Sequence, residues 1–173
     1  MKYIKIILLS LVLLNLSNYS YATVIYFIDM KKILNTSKAG KGAQDYLKNK
    51  LKEETSKFDK KQETLKKEES ELIGQKKLIS PEEYKKKLNE LRKKNIAHQK
   101  ERQAAANDIF KKREKARLQL NNSLKPILEK YMSENNITVV IDKKSIVVAK
   151  SEIDLTDKIL KLLDKDLKSI NLK

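Results

Sequence analysis

The 173-residue chain has no cysteine and no tryptophan, and it carries only two prolines, three glycines and one histidine. Without cysteine no disulfide staples the fold, so stability has to come from packing, self-association or both. So few breakers argue against a fold of many tight turns and point to long uninterrupted elements. Catalytic vocabulary is equally sparse. There is no thiol nucleophile, no glycine-rich phosphate loop, no serine elbow and no paired-histidine zinc helix. The lone His98 falls on a helical face with Arg102 and reads as a structural or solvated residue. Acids such as Glu68, Glu69 and Glu71 are interleaved with lysines, the pattern of a solvated helix with i,i+4 pairs. The sequence therefore predicts no enzyme, no catalytic residue, no cofactor and no metal site.

What the chain does have is positive charge. Thirty-nine lysines and arginines stand against 23 acids, a formal net charge of +16. Two of those lysines, Lys2 and Lys5, precede an apolar run from Ile6 to Leu16 and a polar stretch with Ser20 and Ala22. A basic start, a short apolar run and a small-x-small end are the order of a secretory signal. Asn15 and Asn18 interrupt the run well short of the roughly 20 apolar residues of a membrane span. Residues 1–22 are thus expected to be a signal peptide cut after Ala22, leaving a mature charge of +14.

The run Val24, Ile25, Tyr26, Phe27, Ile28 is short, β-branched and aromatic, and predicts a buried strand. Met30 to Leu34 reads as a helical turn, and Asn35 to Gly42 as a break before a long helix starting at Ala43. In that helix Leu51, Phe58, Leu65, Leu72 and Ile79 recur every seven residues. The intervening seam positions, Glu54, Lys61 and Glu68, are polar, so the seam is thin for a coiled coil.

Ser80, Pro81 and Glu83 form the start signal of a second helix: an N-cap, a proline at the first position and a capping-box glutamate. Short connections join antiparallel neighbours, so the two helices predict a hairpin with its tip near residues 74–80. Its arms would reach about 50–60 Å at 1.5 Å per residue. The second helix has an apolar seam near the tip and a polar middle at Asn95, His98 and Arg102. Its apolar density rises again beyond Leu118, where Pro126 is expected to kink it.

After Asn135 and Asn136, two strands are expected at Ile137–Ile141 and Ile146–Ala149, joined by a four-residue hairpin loop. Asp154, Leu155, Thr156 and Asp157 offer capping oxygens to a last amphipathic helix, and the lysine-rich tail after it is expected to fray. The fold class is α+β, mainly α: a small β-rich oligomerisation body with a long antiparallel coiled-coil hairpin arm. The body comprises residues 23–42 and 118–173, and the arm residues 43–117.

The initial strand, the basic hairpin, and the Ile137–Asp142 strand leading to Asp154, Leu155, Thr156 and Asp157 together resemble the Skp/OmpH family of periplasmic chaperones. The resemblance spans essentially the whole mature chain. It implies a homotrimer with a β-rich body and three arms around a cavity. It also implies ATP-independent holding of unfolded outer-membrane β-barrel proteins in the periplasm. Some members are associated with lipopolysaccharide, for which no residue of this chain is assigned.

The residues themselves supply a capture mechanism. Lys76, Lys77, Lys85, Lys86, Arg92 and Lys93 would attract an acidic client at long range. Phe58, Leu65, Leu72, Tyr84, Leu88 and Leu91 would make weak contacts with it while also packing the hairpin. Val24, Phe27, Val139, Ile141 and Val147 are the expected oligomer interface. Two other readings of the basic arm stay open: an envelope coiled coil that binds anionic lipid or cell wall, and a nucleic-acid binder. An export signal, few arm aromatics and few arginines argue against nucleic acid as a functional partner.

Overall fold

The computed structural model describes residues 24–172, so the expected signal peptide and its cleavage site lie outside the described residues. Strand β1 (Ile25–Ile28) leads into helix α1 (Met30–Thr36), then into α2 (Lys38–Gln75) and α3 (Pro81–Glu134). Strand β2 (Val139–Asp142), two short 3₁₀ turns and helix α4 (Thr156–Asp166) complete the chain. Among the described residues no helix is long and apolar enough to cross a membrane.

β1 and β2 pair in parallel, with Ile25 opposite Val139 and Ile28 opposite Asp142. A parallel pair needs a crossover connection, and here the crossover is the entire helical hairpin. This corrects the expected second strand at 146–149. The Asp142 carboxylate accepts from the Lys144 backbone N–H and rolls the chain into a 3₁₀ turn at Lys143–Ser145. No residue in that loop has the positive φ that tight hairpin turns favour. Residues 146–149 run on without regular pairing, and Val147 and Val148 stand exposed. In place of a hairpin partner, Asp154 forms a single parallel bridge to Phe27, whose carbonyl accepts from the Leu155 N–H at 2.9 Å.

The predicted break at 35–42 shrinks to one residue. Ser37 caps α2 by accepting from the Gly40 N–H at 3.1 Å, and Gly40 and Gly42 both lie inside the helix. Gly40 is there for proximity. A Cβ at that position would sit 2.1 Å from the Leu34 carbonyl oxygen, so only glycine lets α1 and α2 meet so closely. At the other end α2 stops at Gln75, one residue past Gly74. Ser80 Oγ accepts from the Glu83 N–H at 3.2 Å, as a capping residue should. The Glu83 carboxylate turns outward to Lys87 instead of closing the box. α3 runs through Pro126 and ends at Glu134, where Asn136 takes up φ 54° and reverses the chain.

Apolar residues fall into three clusters. The body core packs Ile28, Ile33, Leu124, Leu155, Ile159 and Leu163, drawn from β1, α1, α3 and α4. A second cluster at the arm root joins Ala43 and Leu47 of α2 to Ile109 and Ala116 of α3. A third near the tip holds Leu65, Leu72 and Leu91, with Ile79 and Tyr84 against them as the hydrophobic staple of the corner requires.

Between root and tip the seam is polar. Lys61 to Glu101 and Lys94 to Glu68, each at 2.7 Å, bridge the helices, and the Lys61 contact holds the Glu101 carboxyl below its ordinary range. His98, 1 % exposed, packs against Phe58 with ring centroids 5.7 Å apart. No protein group hydrogen-bonds either of its ring nitrogens.

One further expectation fails. The tail does not fray: residues 167–172 fold back onto the arm root, where Leu172 is 3 % exposed.

Candidate functional site

Two helices of 38 and 54 residues extend about 57 and 81 Å at 1.5 Å per residue; their paired stretch projects as the arm, while the start of α2 and the end of α3 enter the body core. Every third or fourth residue of each helix faces the other. A residue next to a seam position is rotated by about 100° and cannot share its burial. That rule sorts the apolar residues of the arm.

Phe58, Leu65, Leu72 and Leu91 are on the seam and buried, so they hold the hairpin together and offer no surface. In this protomer their packing role is the one on view, and a contact with a client would need the helices to part. Tyr84 and Leu88 are half-buried against the tip cluster and keep an open edge. Leu51, on the heptad series, is half exposed, and four more exposed apolar residues of the arm are neighbours of seam residues: Ile73 beside Leu72, Leu78 beside Ile79, Ile96 beside Asn95 and Phe110 beside Ile109. Leu78 is 81 % and Phe110 63 % exposed. The heptad reading passed over these four. Their signal was present all the same, as apolar residues one step off the seam.

Lys76, Lys77, Lys85, Lys86, Arg92 and Lys93 are all exposed. Seven cations face three acids between Ile73 and Lys93. Among the described residues the ion pairs of this end engage Lys87 and Lys94, and none of the six named cations has a carboxylate within 4.0 Å. Lys76 Nζ instead lies 6.0 Å from the Tyr84 ring centroid. The tip therefore joins an unneutralised positive field to solvent-exposed Ile73 and Leu78. Such a surface attracts anionic partners from a distance and gives them apolar contacts on arrival.

At the arm root an open groove of about 630 Å³ lies between α2 and α3. Leu47, Leu51 and Leu120 line its apolar side, and Arg113 and Arg117 its cationic side.

The expected interface residues separate in the same way. Val24, Val139 and Val147 are exposed, as is Ile25, which stands opposite Val139 in the register. Ile141 is half-buried. Phe27 differs from them in being only 5 % exposed within the chain itself. The sequence could not tell which face of β1 turns inward, because every residue of that run is apolar.

No cluster of three or more metal-ligating side chains exists among the described residues.

Residues 24–163 match the family described as outer membrane protein, OmpH-like. A comparison with curated proteins finds no match. Among solved structures, one assigned as an OmpH-like outer membrane chaperone from Caulobacter crescentus superposes with a TM-score of 0.78 at 18 % identity. The superposition covers 85 % of this chain and 87 % of that one. The likeness establishes a shared fold: long helices with a small β part.

Proposed function

Because the chain belongs to the OmpH-like family, we propose that it is an ATP-independent periplasmic holdase that keeps unfolded outer-membrane β-barrel proteins soluble until insertion. The observation that carries this reading is the arm tip. Lys76, Lys77, Lys85, Lys86, Arg92 and Lys93 have no carboxylate within 4.0 Å, and exposed Ile73 and Leu78 lie outside the packed seam. Long-range attraction brings an acidic, amphipathic chain to the arm. Scattered apolar contacts then hold it weakly, as a chaperone that must release its client requires.

In this reading residues 43–117 are the client-holding arm, and residues 23–42 and 118–173 are the body through which three copies assemble. A two-stranded sheet with open edges leaves Val24, Ile25, Val139 and Val147 uncovered, and pairing between subunits would cover them. Export by the N-terminal segment delivers the protein to the periplasm.

The test is dilution of a denatured outer-membrane barrel into buffer with and without the mature protein, in the absence of nucleotide. Suppressed light scattering at low salt is expected, and unchanged scattering would rule the reading out. Light scattering of the mature protein alone should give three subunits.

A second reading is favoured by the same tip, where lysines flank exposed Ile73 and Leu78: docking to an anionic lipid surface. It predicts co-sedimentation with acidic vesicles and no effect on the denatured barrel.

A further inference from the structure

Beyond α4 the chain carries a short segment, residues 167–172, that lies past the family-matched stretch. Its residues, Leu, Lys, Ser, Ile, Asn, Leu, mix three apolar with three polar side chains and form no helix. It is nevertheless anchored at three points. The Leu167 N–H donates to the Leu163 carbonyl at 2.8 Å and closes the end of α4. Ile170 packs against both the body core and the arm-root cluster. Leu172 is buried with Ala43, Leu47, Ile109 and Ala116, and its carbonyl accepts from Lys112 Nζ at 2.8 Å.

These anchors sit partly on the body and partly on the arm. Leu163 belongs to α4 in the body, while Lys112 and Ile109 belong to the arm. α2 and α3 connect the two parts continuously, and residues 167–172 are a third element that touches both. We propose that residues 167–172 are a strap that fixes the direction of the arm relative to the body, and that undocking of Leu172 from the arm root frees the arm to swing. The strap can release easily. Its packing rests chiefly on Leu172 and Ile170, with the Lys112 ammonium on the Leu172 carbonyl, and a segment this short can open locally without unfolding the body. The inference concerns the mechanics of the chain itself and does not depend on which client the arm holds.

The absence of cysteine makes the test direct. Spin labels are placed on the arm and the body through Ser70→Cys and Lys161→Cys, both at exposed positions. Labelled chains are diluted with unlabelled ones so that only distances within one protomer are read by pulsed dipolar spectroscopy. The native protein should give a narrow distribution. Leu172→Asp, and separately a chain ending at Leu167, should broaden it while the thermal unfolding of the body stays cooperative.

Hydrogen exchange gives a second readout. Amides around Ala43 to Leu47 and Ile109 to Ala116 should exchange about tenfold faster or more in Leu172→Asp, the scale of losing one buried leucine. Equal distribution widths in the native chain and both variants would overturn the strap. So would unchanged exchange at the arm root.

Discussion

The backbone N–H of Asp29 donates to Thr156 Oγ1 at 2.8 Å, across 127 residues of sequence. This bond ties the end of β1 to the start of α4. Thr156 itself is 1 % exposed, and both its N–H and its hydroxyl donate to the Asp154 carboxylate. On the other side, the Asp29 carboxylate accepts from the Lys32 N–H at 2.8 Å and caps α1. Two helix starts and one strand end are therefore closed by a single chain of hydrogen bonds, although the long arm separates its halves in sequence.

Thr156→Val keeps the shape of the side chain and removes its oxygen. The Asp29 N–H and the Asp154 carboxylate then lose a buried partner, at a cost of about 1–3 kcal/mol. Chemical denaturation of the mature protein should show a loss on that scale, and Thr156→Ser should recover most of it.

The same knot confers a pH dependence. The Asp29 carboxyl is held below its ordinary value chiefly by the Lys32 backbone N–H, with the Lys143 ammonium at 3.5 Å assisting. A depressed folded-state value means that the stabilisation is complete above the unfolded value, near 4, and is lost as pH falls through the folded one. Asp29→Asn can still cap the helix but cannot titrate. Its stability should fall less steeply than the native protein's in an acid titration followed by circular dichroism.

Seam and off-seam leucines should behave oppositely. Leu65→Ala opens a hole in the tip cluster and should cost about 2–5 kcal/mol of stability in the arm. Leu78→Ser lies in solvent and should change stability by no more than about 0.5 kcal/mol. Yet Leu78→Ser, and not Leu65→Ala at a temperature where both are folded, should weaken retention of a denatured barrel in a pull-down.

His98 is a polar ring buried in the seam against Phe58, with no protein hydrogen bond to either nitrogen. His98→Leu removes that desolvated pair of atoms and should stabilise the arm by about 1 kcal/mol or more. A higher melting temperature for the helical signal is the expected result.

These contrasts also show what the sequence could express. The corner at Ser80 and Pro81 was legible because a cap, a proline and a staple are local signals that agree with one another. The seam through Phe58, Leu65 and Leu72 was legible because helical spacing fixes which residues face a partner. Gly40 was misread because a glycine needed for close approach looks the same in sequence as a glycine that ends a helix. The strand expected at Ile146–Ala149 failed because β-branched composition specifies an extended chain without supplying a partner; that partner has to come from elsewhere in the fold or from another subunit. The docking of the tail was not legible because three apolar residues spaced among polar ones give no hint of a docking site more than 50 residues away in sequence. Exposed apolar residues were harder to see for a related reason. Apolar residues on a regular pattern are conspicuous, and at Phe58, Leu65, Leu72 and Leu91 the pattern buries them, whereas Ile73 and Leu78 stand off it in solvent.

The most direct measurement is the binding of a fluorescently labelled, denatured outer-membrane barrel by anisotropy at low and high salt. It compares the native chain with a variant carrying Lys76→Gln, Lys77→Gln, Lys85→Gln and Lys86→Gln. Native binding should weaken about tenfold between roughly 0.05 and 0.5 M salt, because exposed charges are screened over that range. The variant should bind more weakly at low salt and lose most of the salt dependence. Equal affinity and equal salt dependence in the two proteins would contradict the assignment of the cationic tip as the site of client capture.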